Sequence, residues 1–391
     1  MASPKDSRFF KGVAESVSFV LLFGILVLNF ALTAPAMATF PGGNGKIAFV
    51  RDDQIWVMNS DGTNQHNITN GNTSFADSHP NWSADCLQIA FDRRTHISVE
   101  ISREQIWKMN EDGSGQTRMT NDTFTNENPA WSPDGKMIAF ESNRAGTIEI
   151  FVMLAIPSAN ATMLTNGSGV IESETPNWSP DGSKIAFVRV NETNRDLPPG
   201  EEIYTINPDG TGLTNISNNS TGHEDGANWF PDGTMMTFES RNLTGDEESP
   251  DGLESVYTMN AADGTGKSRL TPFINNNTES ENAVPSPDGT MIAFVRNDNV
   301  TGDSTEQIYV MNADGSGVKA LTTGVNGTVS ALPDWQPACA TEVPSPVGGE
   351  ILGIDMTSLL VAGAFANVSW IIPIAGVTAA GIIGYIVTRR R

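Results

Sequence analysis

The sequence is short of the residues on which small scaffolds and metal sites are usually built, with 2 cysteines and 4 histidines in 391 residues. Two thiols cannot make a disulfide-dense framework or a thiolate zinc site. Positive charge is scarce too, at 23 Lys and Arg against 46 Asp and Glu. Six of those basic residues lie at the extremes: Lys5, Arg8 and Lys11 near the start, and Arg389, Arg390 and Arg391 at the end. Without them, and without Asp6 and Glu15, 44 acidic residues face 17 basic ones. A surface of that sign repels phosphate backbones, which argues against nucleic acid as a partner. Helical apolar periodicity is missing from the central part, and no Gly-x-Ser-x-Gly nucleophile elbow occurs. What remains is a chain with 38% hydrophobic and only 18% charged residues, enough to bury a core.

The two ends carry the long apolar runs. Lys5, Arg8 and Lys11 precede Val17 to Leu32, and Ala36-Met37-Ala38 follows. That is the layout of a secretory signal over residues 1–38, with an uncleaved anchor as the alternative. Leu359 to Val387 is almost wholly apolar and stops at the arginine triplet. We expect a transmembrane helix over 358–388 and a basic cytoplasmic tail over 389–391. A Pro/Gly-rich linker, 338–357, would join it to a domain over 39–337 held outside the cell. Asn-x-Ser/Thr sequons are dense, as an exported chain permits: Asn67, Asn72, Asn121, Asn160, Asn191, Asn215, Asn242, Asn276, Asn299 and Asn326 are candidate glycan acceptors. Chance in a chain rich in Asn, Ser and Thr accounts for part of that density.

Between the ends the sequence repeats itself. Trp82-Ser83, Trp131-Ser132-Pro133-Asp134-Gly135, Trp178-Ser179-Pro180-Asp181-Gly182 and Trp229-Phe230-Pro231-Asp232-Gly233 are followed by Pro285-Ser286-Pro287-Asp288-Gly289 and finally by Trp335. The spacings are 49, 47, 51, 56 and 50 residues, the length of a four-stranded propeller blade. Nine residues after each of the first five positions stands a phenylalanine: Phe91, Phe140, Phe187, Phe238 and Phe294. A strand with a central aromatic follows (Trp107, Phe151, Tyr204, Tyr257, Tyr309), then in most units a turn containing Asp-Gly and a short strand near Leu-Thr. Asp-Gly between apolar runs is a hairpin signal because glycine supplies the positive φ.

The pattern enters out of phase. Ile47 to Val50, Ile55 to Met58 and Asn67 to Thr69 supply the second, third and fourth strands of a unit without a first, and Leu332 to Gln336 supplies a first strand alone. Joining them gives an all-β, six-bladed propeller of four-stranded antiparallel blades, closed by its terminal strands so that no sheet edge is left at the seam.

Trp-Ser-Pro-Asp-Gly followed by Ile-Ala-Phe, then Ile-Tyr-Val-Met-Asn-x-Asp-Gly, resembles the WD40-like PD40 repeat of TolB-type six-bladed propellers, over about 300 of the 391 residues. The resemblance implies the fold, not an activity. The family's best-known members are protein-binding components of an envelope complex with an extra N-terminal α/β domain, which is not expected here. The signal, sequons, Pro346-to-Glu350 spacer and basic-ended anchor resemble archaeal cell-surface proteins.

In such a ring the tight turns share one face, and the longer connections share the other. Arg93 to Arg103, Asn191 to Gly200, Asn242 to Leu253 and Asn297 to Thr305 are expected as loops on that second face, where binding usually resides. Four residues before the tryptophan position stand Glu127, Glu174, Asp225 and Glu281, with Asp77 one residue earlier in its unit. These carboxylates are expected to ring the channel mouth and to hold a cation such as calcium or a basic peptide segment. Acidic solvation of loop ends explains the same residues. No catalytic residue is assigned. The leading expectation is a non-catalytic module that binds a protein or envelope component. The alternative is a glycan-acting lyase or hydrolase using a cation at the acidic mouth, with His79 or His223 as its base. Cys86 and Cys339 each lie four residues after a repeat tryptophan, which predicts a disulfide between neighbouring turns near the closure.

Overall fold

A computed structural model describes residues 44–69, 75–98, 101–193, 200–218, 222–242, 253–272, 278–298, 305–324 and 328–337. The signal, linker, membrane segment and basic tail lie outside them, as do most of three of the expected loops. Among the described residues no helix is long and apolar enough to cross a membrane. Six four-stranded antiparallel sheets follow one another along the chain. Blade 1 joins Ser330–Trp335 to Ile47–Arg51, Gln54–Met58 and His66–Asn67. Blades 2 to 6 begin with inner strands Phe75–Trp82, Asn126–Trp131, Ile171–Trp178, Gly222–Trp229 and Glu279–Pro285. The closure is therefore as expected: Ile47 pairs with Trp335 and Arg51 with Ser330.

Two repeated contacts explain why this sequence makes this ring. The strand-two phenylalanine lies directly opposite the strand-three aromatic in every blade. These phenylalanines are fully buried, and a cation stacks over each aromatic pair or one of its rings: Arg51, Arg93, Arg144, Arg189, Lys267 and Arg296 in blades 1 to 6. Stacked cations of this kind contribute about 0.5–2 kcal/mol each. In blades 3 and 5, where strand two carries Ser142 and Ser240 instead, the cation comes from elsewhere in the fold. Secondly, the hydroxyl two residues past the outermost strand (Thr69, Thr120, Thr165, Ser217, Thr271, Thr322) accepts a strand-three amide (Ile55, Ile106, Ile150, Ile203, Val256, Ile308) at 2.9–3.0 Å in all six blades. A buried strand N–H is thereby satisfied.

Segment 93–103 is not a loop. Strands Gln88–Ser98 and Ile101–Asn110 continue past the sheet as a longer hairpin, with Arg94 opposite Glu104 and Thr95 opposite Arg103. Cross-strand charge pairing, Arg94 with Glu104, stands in for the apolar alternation that the segment lacks. Blade 3 also departs from the repeat. Its strand-three to strand-four connection replaces the Asp-Gly turn with Leu154-Ala155-Ile156-Pro157, leaving Leu154 and Ile156 53% and 57% exposed.

At the closure, Gln336 exchanges backbone and side-chain bonds with Lys46 and donates through Nε2 to the Cys86 carbonyl at 2.9 Å. Cys86 is buried, takes the left-handed φ of 61° that glycine has in the equivalent turns, and is disulfide-bonded. The chain's other cysteine, Cys339, lies outside the described residues.

Candidate functional site: the lumen and its acidic mouth

Each inner strand bulges at the same place, where two residues oppose one on strand two. The first bulged residue is left-handed in every blade: His79, Asn128, Thr175, Gly226, Asn282 and Leu332, at φ 46°, 49°, 52°, 61°, 52° and 53°. Five of the six lack the freedom of glycine, so the conformation costs on the order of 1–2 kcal/mol each. Strand-two carboxylates of the preceding blade offset that cost at three seams. Asp92 accepts the Asn128 amide at 3.2 Å, Glu141 accepts that of Thr175, and Glu239 accepts that of Asn282. Glu141 also accepts Asn128 Nδ2 at 2.6 Å, and Asp92 holds His79 Nδ1 at 2.7 Å.

The bulges turn the inner strands into a two-chambered lumen. A cavity of about 180 Å³ on the turn side is walled by Trp82, Trp131, Trp178, Trp229 and Trp335. One of about 230 Å³ on the loop side is walled by bulge residues, including His79, Asn128 and Thr175. Asn81, Asn177, Asn228, Val284 and Asp334 border both. Asp334 Oδ2 accepts the Trp82 amide at 2.6 Å, and Asn81 Oδ1 accepts the Trp131 amide at 2.8 Å, so the waist is itself stitched across blades. Deep placement pushes the Asp334 carboxyl up to about 7, against the backbone bonds from Trp82 and Trp335.

Of the five carboxylates expected at the mouth, Asp77 is not there. It is buried and makes a two-pronged ion pair to Arg93, Nε to Oδ1 at 2.5 Å and Nη2 to Oδ2 at 2.8 Å. The physical reason is strand parity: one residue along a strand reverses the face, so Asp77 points into the blade where Glu127 and its equivalents point out. At the position of Asp77 the other blades carry Asn126, Ser173, Glu224, Ser280 and Ser330, all buried. Several of these hold the stacked cation: Asn126 accepts from Arg144, Glu224 from Lys267 and Ser330 from Arg51.

Glu127, Glu174, Asp225 and Glu281 are half-buried, but they form sectors rather than one ring. Glu127 lies opposite Glu141, and Asp225 opposite Glu239. Like charges placed directly across a sheet repel. Burial first, then neighbouring carboxylates, push Glu127 up to about 7 and Glu281 to about 8. Glu141 rises to about 8, chiefly through burial and then Glu174, and Glu239 rises well above the usual range through burial and Asp225. Glu254, beside Arg241 at 2.8 Å, still reaches about 7 because burial dominates. On blade 4, Glu174 sits with Glu172 and Glu192, their carboxylate oxygens within 4.8 Å of one another, a spacing at which a cation could be shared.

Sequence reasoning passed over Asp92, Glu141 and Glu239. Each follows a strand-two phenylalanine, where the other blades have Val50, Val188 and Val295, and that polar break in an apolar run was the available signal. The histidines lie on strands. Burial would lower the His79 imidazole, but bonded Asp92, with Glu141 and Glu127, raises it overall. His223 is buried with Nδ1 3.4 Å from Glu201, which Arg241 also approaches at 3.7 Å. Among the sequons, Asn121 and Asn160 are exposed, whereas Asn67, Asn191 and Asn215 are half-buried. Asn242 falls in a strand, and Asn72, Asn276, Asn299 and Asn326 lie outside the described residues.

Six closed four-stranded blades carrying this repeat define a TolB-like PD40 β-propeller. Residues 94–198 match the TolB beta propeller domain. The fold is similar to that of TolB from Acinetobacter baumannii, at 20% identity and TM-score 0.58, covering 75% of this chain and 67% of that one. It is also similar to a putative TolB from Agrobacterium tumefaciens, at 18% identity and TM-score 0.54, covering 75% and 99%. The hydrazine synthase of Kuenenia stuttgartiensis shares the fold at 17% identity and TM-score 0.58, covering 76% of this chain and 47% of that one. No curated protein sequence matches the chain.

Proposed function

We propose that the chain is an exported propeller, anchored by a C-terminal membrane helix, that binds a positively charged segment of a protein or envelope component at its loop face without catalysis. One observation carries this reading: half-buried Glu127 and Glu281 are pushed up to about 7 and about 8 by burial and then by their own neighbouring carboxylates, Asp92 and Glu104 beside the first and Glu254 and Glu306 beside the second, so a cation entering there relieves the repulsion. The first and last described strands of the ring meet at Lys46 and Gln336, on the turn side. Calcium would serve the same carboxylates. The proposed organisation is a signal over 1–38, the propeller over 39–337, a linker over 338–357 and the anchor over 358–388, with a Cys86–Cys339 bond clasping the closing strand. The test is calorimetric titration of the purified protein with oligolysine and, separately, calcium, set against the variant E127Q/E174Q/D225N/E281Q. The wild type should bind oligolysine in a salt-sensitive manner, and the variant at least tenfold more weakly. Equal binding would sink the proposal. Peptide mapping of the same material without reductant reports the partner of Cys86.

A second reading has its own observation. His79 borders the lumen, oriented by Asp92 at 2.7 Å, with Glu127 near enough to influence its charge, so a base stands beside carboxylates as a cation-assisted glycan lyase or hydrolase requires. Release of unsaturated or reducing ends from acidic polysaccharides, lost in H79Q, would favour it over the binding module.

A further inference from the structure

The sequons divide by what their flanking side chains do in the fold. In Asn67-Ile68-Thr69 and Asn215-Ile216-Ser217 the hydroxyl is the buried one two residues past the outermost strand, accepting the amides of Ile55 and Ile203. Asn215 Nδ2 is also engaged, donating to Glu202 at 2.9 Å. A glycosyl transferase must reach both the amide and the hydroxyl, so these two motifs belong to the repeat.

The outer side of blade 3 and its seam with blade 2 present the opposite arrangement. In Asn121-Asp122-Thr123 the middle residue is turned inward, where Asp122 pairs with Arg144 at 3.1 Å, and Asn121 and Thr123 are exposed. In Asn160-Ala161-Thr162 the middle alanine packs against the blade's core while Asn160 and Thr162 face solvent. Asn166-Gly167-Ser168 repeats the pattern. The Gly167 amide is held by Glu149, a Cβ there would meet the Ile171 carbonyl oxygen, and Asn166 and Ser168 are exposed. Asn121 and Asn160 border one cleft of about 410 Å³ beside the outer strand Thr162–Met163. This is also the blade whose Asp-Gly turn is replaced by exposed Leu154 and Ile156, with Met163 42% exposed beside them. Bare apolar side chains next to an open outer edge invite association.

We infer that the outer edge of blade 3, with its seam to blade 2, is the N-glycosylated rim of this protein, modified on Asn121, Asn160 and Asn166, and that Asn67 and Asn215 are not acceptors. The inference rests on the reading that the chain is exported. In each transfer the carboxamide nitrogen attacks C1 of a lipid-linked oligosaccharide. The N–C1 bond forms as the C1–O bond to the donor phosphate breaks, the nitrogen gives up one proton, and the lipid phosphate departs. The sugars then cover the apolar turn and edge.

Protein isolated from its own host's membranes, digested and analysed by glycopeptide mass spectrometry, tests this. Oligosaccharide on at least two of Asn121, Asn160 and Asn166, with bare peptides at Asn67 and Asn215, is the expected result. Sugar on none or one of the three, or on Asn67 or Asn215, overturns it. Shaving intact cells with external protease separates the premises: a protected propeller sinks export and glycosylation together, whereas a cleaved propeller with all three sites bare sinks the glycosylation alone. The variant N121Q/N160Q/N166Q changes only exposed side chains and should fold normally while losing the sugar mass.

Discussion

Two sets of acids lie on opposite faces of this ring, and their chemistry is opposite. On the turn face, Asp61, Asp112, Asp209, Asp263 and Asp314 are exposed, and each accepts the side-chain and backbone donors of a Ser or Thr two residues on. Those bonds hold all five carboxyls below the usual aspartate range. On the loop side and in the lumen, burial pushes Glu127, Glu141, Glu239, Glu254, Glu281 and Asp334 upward. A count of 46 acidic residues says nothing of this division. The turn acids complete their own loops and ask for nothing further. The mouth acids are crowded, and a bound cation would improve their situation.

The largest expected effect separates an acid that belongs to neither set. Among the described residues Asp77 is the carboxylate that pairs with buried Arg93, which also stacks on Phe75, Phe91 and Trp107. Asp77→Ala leaves that guanidinium buried without its carboxylate and should cost about 3–5 kcal/mol. Glu127→Gln removes a repelled charge and should be neutral or stabilising. Urea denaturation of both variants checks the contrast. If D77A is harmless, or E127Q is as damaging as D77A, the assignment of Asp77 to the blade and Glu127 to the mouth is wrong.

Asp77 also marks what could be seen in the sequence. The fold was legible because its cause is repetitive: a period near 50 residues, Asp-Gly hairpins, and one orphan strand at the C-terminus matching one gap at the N-terminus. The mouth was legible only in outline. Parity along an inner strand decides whether a carboxylate points into the blade or outward, and the bulge after that position resets the count. Asp92, Glu141 and Glu239 were hidden in apolar runs, and they reach across a seam between blades that no local pattern reveals. Segment 93–103 read as a loop because its strands are held by cross-strand polar pairs instead of apolar alternation.

The pH dependence tests the two sets together. Glu141 has an ordinary value of 4.5 and is held at about 8 in the fold, so the folded chain binds that proton more tightly. The stability it contributes is complete below about pH 4.5 and is lost as pH rises toward 8, with a slope on the order of 1.4 kcal/mol per pH unit for each such group. Glu281 behaves alike, and so does His79, whose raised imidazole contributes below 6.5. The turn aspartates run the other way: their contribution is present above their ordinary 3.8 and lost as pH falls below it. The melting temperature should therefore peak between about pH 4 and 5 and decline on both sides. E127Q/E174Q/D225N/E281Q should lessen the alkaline decline, which Glu141 and His79 still sustain, and leave the acid one intact. A stability maximum near pH 8 would mean the mouth carboxylates are not crowded.

The smallest expected effect lies on the turn face and isolates a single aspartate. Asp112 Oδ1 accepts the Ser114 amide at 2.9 Å and the Ser114 hydroxyl at 2.6 Å, while its charge sits in open solvent. Asp112→Ala removes both bonds. Asp112→Asn keeps an acceptor for the amide and loses the charge. The order of melting temperatures at pH 7 should be wild type, D112N, D112A, with small steps, because the carboxylate is fully hydrated either way. The gap between wild type and D112N comes from ionisation alone, so it should close as pH falls through the depressed value of Asp112, and added calcium should leave it unchanged. Each of the five aspartates bonds the Ser or Thr of its own turn, so their Asn substitutions should add. A calcium-dependent gap, or a combined loss well beyond the sum, would show that the turn aspartates act together as a site and would erase the distinction between the two faces.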